Sequence, residues 1–430
     1  MENPLVRGGL TLIAGVLVGN LVGFARVAVT AYLLGTHSRA DSLAVAMGPL
    51  DTLNSMLLNS MIFAFVPMLT ACKGEERTAL LLKLSRVFTW VFSAISAAVI
   101  LCAPWLMRAL APGLDPYYFG AAVTTLRILS LSTVAAGSGA LYCALLYTDR
   151  RFAPTAFYQA AINTFTIIAA LTLFRVLGVY AFAIGYTAGA WAQLGIVWYA
   201  ARRPLKTAGL PECRFHWSEI LGKPAFFVVY ASGLALNVTF TRAYATHAGP
   251  GMAAALDYCM RGVGVPMALL VSPISNSLLP EIARLRSLCR MRQAFRLIDR
   301  TVALAALVAV AGCAFALLFR SPAVALFFQR GSFTSQSTML VSAVFLGMGP
   351  SLVGWSLLEI MSRSLFALDR PWLPVIAAAI PVLFNVCLTL WLRPLRPELL
   401  GIGSSLGLLL GFLVLFAMAH LNRKVWMEQR

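Results

Sequence analysis

Long apolar stretches recur twelve times along this chain, and no other feature limits its fold so strongly. They lie near 8–34, 42–71, 87–107, 119–147, 152–174, 177–201, 220–246, 251–280, 301–319, 337–362, 373–392 and 399–421. A helix needs about 20 apolar residues to cross a hydrocarbon core. Strands of a membrane barrel would be about ten residues long and would alternate in polarity. The pattern predicts an all-α polytopic membrane protein of about 12 transmembrane helices. The first stretch is too long, and too poor in cleavage signal, for a secretory signal peptide.

The net charge of +18 could point to nucleic acid, so the positions of the basic residues matter. With the N-terminus inside, 23 of the 34 lysines and arginines fall in inside loops, seven in outside loops and four within the stretches. That asymmetry places both termini in the cytoplasm and explains the charge with no nucleic-acid partner. The eight cysteines form no CxxC pair, and the four histidines are scattered, so neither a metal site nor a cofactor is expected. Walker A and HExxH patterns are missing from the sequence, which argues against an ATPase or a zinc hydrolase.

The sequence repeats itself. Arg26 precedes Asp41 by 15 residues, and Arg242 precedes Asp257 by 15. "FVPML" at 65–69 corresponds to "LLPEI" at 278–282, and "LLYTDRRFAP" at 145–154 to "LFALDRPWLP" at 365–374. All these offsets lie between 213 and 220. Two homologous six-helix lobes are expected, 1–201 and 220–430, joined by a basic cytoplasmic linker at 202–219. Paired bundles of this kind commonly rock about a central cavity, which favours a transporter over a channel or an enzyme.

Charges inside apolar stretches are expensive and usually face a bundle interior or a wet cavity. Here they are Arg26, Asp51, Arg127, Arg242, Asp257, Arg261 and Glu359. Asn20, Asn54, Asn59, Asn163, Asn237, Asn276 and Asn385 add neutral polar groups, more often glue between helices than ligands. Plainer roles exist for several charges: Arg242 with Asp257 and Glu359 with Arg363 can pair, and Arg127 can snorkel outward. Arg26 and Arg261 lie deeper. Val22, Gly23 and Thr30 share the helix face of Arg26, and their small size predicts room there for a large anionic group. The planar donor fork of arginine suits phosphate better than cations or neutral drugs. An anionic cargo is expected, and a lipid-linked pyrophosphate would fit that preference.

These residues sit in segments that resemble a known family. "LVGFAR" at 21–26, "LLGTHSRADSLAVA" at 33–46, "FAFVPML" at 63–69, "APG" at 111–113, "LLPEIARL" at 278–285, "LFFQRGSFTSQST" at 326–338 and "LFALDRPWLP" at 365–374 are similar to the MviN/MurJ lipid II flippases. That family is part of the multidrug/oligosaccharidyl-lipid/polysaccharide exporter superfamily. The resemblance implies a V-shaped pair of six-helix lobes around a cationic cavity, moving undecaprenyl-pyrophosphate-linked sugars from inner to outer leaflet by alternating access. Many members carry two further C-terminal helices; twelve are expected here. Arg26, Asp41 and Arg261 match family positions. Departures stand at Gly19-Asn20, where Ser-Arg is usual, at Leu53-Asn54 and Leu58-Asn59, where an Arg-Arg pair and Glu-Gly are usual, and at Met260, where an aspartate is usual.

The expected protein is a flippase of the bacterial cytoplasmic membrane serving peptidoglycan biogenesis, with lipid II or a related lipid-linked oligosaccharide pyrophosphate as cargo. Arg26, Arg261 and Arg242 would bind it, with Asp41, Asp51, Asn54 and Asn59 around them. Sodium or protons could couple the cycle. The alternatives are a flippase for an O-antigen or exopolysaccharide precursor and a cation-coupled multidrug exporter of the same superfamily, for which Asp51, Asp257 and Glu359 would supply acids. A non-transporting scaffold, acting through loops such as the arginine-rich 284–300, is the third.

Overall fold

The structure is a computed structural model. It describes residues 4–71, 74–149, 151, 153–156, 158–205, 223–267, 271–392, 396–423 and 426. The expected linker at 202–219 falls mostly outside them, and the side chain of Asn59 is not among the described ones. The described residues contain helices and no strand. By contacts the chain divides into two compact units, Met1–Val228 and Val229–Arg430.

The first unit runs α1 (Pro4–Leu34), α2 (Ser38–Ala71), α3 (Gly74–Leu110), α4 (Pro116–Thr148), α5 (Ala153–Ala156), α6 (Tyr158–Leu177) and α7 (Tyr180–Leu205). Helix α4 is its centre, packed on α2, α3 and α7. Its middle reads Ser132-Thr133-Val134-Ala135-Ala136-Gly137-Ser138-Gly139-Ala140, and all of these residues are buried. In lipid there is little hydrophobic force between helices, so association depends on close packing, which small residues permit. A Cβ at Gly137 would collide with the ring of Phe92 on α3. On the opposite surface of α3, Trp90, Leu101 and Trp105 are exposed, as expected of a lipid-facing helix.

The second unit runs α8 (Lys223–Ala248), whose first residues fall in the first unit, α9 (Met252–Pro266), α10 (Ser272–Ser287), α11 (Met291–Leu318), α12 (Arg320–Phe328), α13 (Ser335–Met348), α14 (Ser351–Ala367), α15 (Trp372–Leu392) and α16 (Ile402–Leu421). Its core joins Ile282, Phe295, Ile298, Leu358, Met361, Leu365, Leu373, Leu408 and Leu415. Gly403, Gly407 and Gly411 recur every fourth residue on α16, against Asn385, Pro381 and Ala377 of α15. Gly185 and Gly189 do the same on α7, against Phe165, Thr166 and Ile162 of α6. Neither series was singled out from the sequence, although spacing by four among small residues is its own signal.

Each of the twelve expected stretches is helical over most of its described residues. Eight helical segments among the described residues are long and apolar enough to cross a membrane, or nine if α13 and α14, bent by 44°, form one span. The stretches at 42–71, 177–201 and 251–280 miss that standard. In α7, polar residues buried in the bundle, Thr187 and Gln193 among them, lower the hydropathy. The third includes residues 268–270, which lie outside the described ones.

The aligned aspartates of the two halves have matching environments. Asp149 caps α4 and accepts an ion pair from Arg77 at 2.8 Å. Asp369 follows α14 in the left-handed region, φ 62°, where aspartate is tolerated, and pairs with Arg286 at 2.9 Å. Each ties the connection after the half's fourth span to the region joining its second and third.

Candidate functional site

In the first unit, Arg26 comes from α1, Asp51 from α2 and Tyr186 from α7. The Arg26 Nη2 lies 3.5 Å from Asp51 Oδ2. The Tyr186 hydroxyl donates to Asp51 Oδ1 at 2.9 Å, and the guanidinium carbon of Arg26 stands 6.0 Å from the centre of the Tyr186 ring. Only the tyrosine contact has ordinary hydrogen-bond length; the arginine contact is a looser ion pair. The Arg26 side chain is 7% exposed and that of Asp51 23%. The carboxylate is thus the more exposed member of the pair.

Asn54, three residues after Asp51, donates to Ser132 Oγ of α4 at 2.9 Å, so it joins helices. Asp41 is buried in the first turn of α2, where the helix dipole favours an acid. Ten residues separate it from Asp51, about 15 Å along the helix. The structure thus groups Arg26, Asp51 and Asn54 and leaves Asp41 apart. One expectation is corrected. The space beside Gly23 is not open to a large anion, because the Asn163 amide of α6 occupies it: a Cβ on Gly23 would lie 3.1 Å from Asn163 Nδ2. That amide donates to the Gly19 carbonyl at 3.3 Å.

In the second unit, Arg242 of α8 pairs through Nη2 with Asp257 of α9 at 2.9 Å. Its Nε and Nη1 are buried and have no hydrogen-bond partner among the described residues. Arg261 stands four residues after Asp257, on the same face of α9 and one turn on. Glu359 accepts from Arg363 Nε at 2.6 Å, with the Tyr230 hydroxyl 3.5 Å from its other oxygen. Each unit thus holds an arginine, a carboxylate and a buried tyrosine in contact. Tyr186 and Tyr230 were missed in the sequence, because nothing local distinguishes them from lipid-facing tyrosines. Arg127 is exposed and donates to the Ile100 carbonyl, consistent with outward snorkelling.

A neutral network lies between α8, α15 and α16. Asn385 Nδ2 donates to Asn237 Oδ1 and Thr241 Oγ1, both at 2.8 Å, and Thr389 donates to Asn385 Oδ1 at 3.1 Å. Asn237 Nδ2 donates to Ser404 Oγ at 2.8 Å. Asn385→Leu is expected to lower stability by about 1–2 kcal/mol, the upper range for such bonds in membrane bundles. Thermal melting of the purified protein measures it; an unchanged melting temperature would mean the network contributes nothing. Among the described residues no three His, Cys, Asp or Glu side chains stand close enough to hold a metal.

Residues 30–429 match the model of the family described as "Lipid II flippase MurJ". The chain belongs to the lipid II flippase MurJ family. Arg26 lies just before the matched segment. The chain is 27% identical over 413 residues to a probable lipid II flippase MurJ of Rhizobium meliloti, covering 91% of this chain and 76% of that one. It is 26% identical over 392 residues to a lipid II flippase MurJ of Burkholderia cenocepacia, covering 84% and 73%. Its fold is similar to a solved lipid II flippase MurJ in an inward closed conformation, with a TM-score of 0.83, 18% identity and coverage of 97% and 91%. With its apolar spans, membership in this family makes the chain a multi-pass protein of the bacterial inner membrane and a member of a transporter family.

Proposed function

We propose that this chain flips lipid II, an undecaprenyl-pyrophosphate-linked saccharide, from the inner to the outer leaflet by alternating access. One observation supports an anionic cargo most directly. Arg242 is buried and retains two guanidinium nitrogens without partners among the described residues. A buried cation with unused donors is a strong attractor for a phosphate oxygen. In this reading Arg26, Arg242 and Arg261 bind the pyrophosphate, and no covalent step is required. The 23-to-7 loop asymmetry supports cytoplasmic termini. Two lobes, 1–201 and 220–430, rock about the cargo, with sodium or protons as the coupling ion; flipping rates under imposed sodium and proton gradients identify which.

Complementation is the test. Expression in a strain depleted of its own lipid II flippase should restore growth, and Arg261→Ala should remove the rescue while the protein still reaches the membrane. Failure of the native chain to rescue would overturn lipid II as cargo. The second reading, a related polysaccharide precursor, is favoured by Asn20, Asn54 and Leu58 at positions where the family resemblance leads one to expect charge. A cation-binding exporter has less support, since Asp51, Asp257 and Glu359 each have an arginine partner that neutralises them.

A further inference from the structure

We infer that Asp51 is an internal stand-in for the cargo phosphate, occupying Arg26 when the transporter is empty and yielding it when an anionic headgroup arrives. The inference rests on the proposed role of Arg26 in anion binding and assigns Asp51 a role opposite to that of a ligand.

Three features carry it. First, Asp51 is held by Tyr186 as well as by Arg26. The phenol hydrogen bond is 2.9 Å and the ion pair 3.5 Å, so the carboxylate has a second anchor that keeps it in place when the arginine turns away. Second, Asp51 is the more exposed partner, so an anion approaching Arg26 from outside meets the carboxylate first. Third, Asp51 has no charged counterpart at its own repeat position, although the second half pairs Arg242 with Asp257 from another position. The repeat offsets of 213 to 220 place its counterpart within 264–271, which reads Gly-Val-Pro-Met-Ala-Leu-Leu-Val and holds no charge. Asp51 is therefore an addition beside Arg26, not a residue required by the architecture of each half.

The physical logic concerns the empty protein. A carrier that alternates must also return without cargo. A bare guanidinium among apolar helices is costly, and a resident carboxylate offsets that cost. A phosphate oxygen can approach a guanidinium to about 2.7–2.9 Å in a bidentate arrangement, closer than Asp51 does here. The cargo can therefore win the exchange, at reduced net affinity because a negative charge stays nearby. A neutral headgroup gains no ion pair from Arg26, so its binding does not depend on Asp51.

Binding of undecaprenyl pyrophosphate to the full chain in nanodiscs tests this, with uncharged undecaprenol as the control lipid. Asp51→Asn keeps an acceptor for Tyr186 and removes the charge; it should bind the pyrophosphate about tenfold tighter, and undecaprenol unchanged. Tyr186→Phe releases Asp51 toward Arg26 and should bind the pyrophosphate more weakly. A purely structural role for Asp51 would move both variants in the same direction. The inference is overturned if Arg26→Ala weakens binding while Asp51→Asn binds no tighter than native. If Arg26→Ala binds the pyrophosphate like the native chain, the proposed role of Arg26 fails, and the stand-in fails with it. Circular dichroism and melting of Asp51→Asn and of Tyr186→Phe establish that each is folded, and either variant alone carries a decisive sign.

Discussion

Arg26→Ala is expected to reduce headgroup flipping in reconstituted vesicles to less than about a tenth of the native rate, a loss of about 1.4 kcal/mol or more. The reasoning begins with its burial. Arg26 is the deep cation of the first unit, held on α1 against Asp51 of α2 and near the Tyr186 ring of α7. Truncation removes the charge that an anionic headgroup would meet after displacing Asp51. It also leaves Asp51 without its counter-charge. Breaking a buried ion pair costs about 3–5 kcal/mol, and the lower end applies because Asp51 is partly exposed and keeps Tyr186. Flipping must therefore be normalised to folded protein, measured by melting of the same preparation. Arg26→Lys separates the two effects. It retains a charge opposite Asp51 but loses the planar fork, so stability should recover more than flipping. Undiminished flipping by folded Arg26→Ala would remove Arg26 from the site.

The largest structural effect is expected at Gly407. A Cβ there would stand 2.9 Å from the Pro381 carbonyl oxygen and 3.0 Å from its Cα, both backbone atoms that cannot rotate away. Gly403 and Gly411 meet α15 in the same way, one turn before and one turn after. A side chain at the middle position must push the two helices apart along the whole contact. Gly407→Leu should cost about 3 kcal/mol or more, the top of the range for overpacking. The protein should lose its monodisperse peak in size-exclusion chromatography after detergent extraction. Gly120→Leu is the control, since a Cβ at Gly120 meets nothing within 4 Å and should leave the profile unchanged. A normal profile for Gly407→Leu would mean that α15 and α16 do not pack this closely in the membrane.

Much of the framework was legible because it depends on local properties of the chain. Apolar stretches of span length dictate helices wherever backbone groups cannot reach water, and each of the twelve is helical over most of its described residues. The two Asp-Arg-x-x-x-Pro frames were legible for the same reason: Asp149 follows α4, Asp369 follows α14, and each accepts an arginine. The glycine series at 403, 407 and 411 was also present to be read, as spacing by four needs no tertiary information.

Partners across helices were not legible. The 15-residue interval from Arg26 to Asp41 parallels that from Arg242 to Asp257, yet only the second pair meets within hydrogen-bond distance, while Arg26 faces Asp51. Sequence spacing fixes which face of one helix a residue occupies, but the rotation of each helix against its neighbours decides what that face meets. Tyr186 reaches Asp51 from 135 residues away, and Asn163 fills the space beside Gly23 that small neighbours seemed to leave empty. The sequence alone thus determined a helical membrane protein with deep arginines. Only the packing of α1, α2, α6 and α7 decided that the deepest of those in the first unit is already faced by a carboxylate, because that contact exists between helices and in none of them singly.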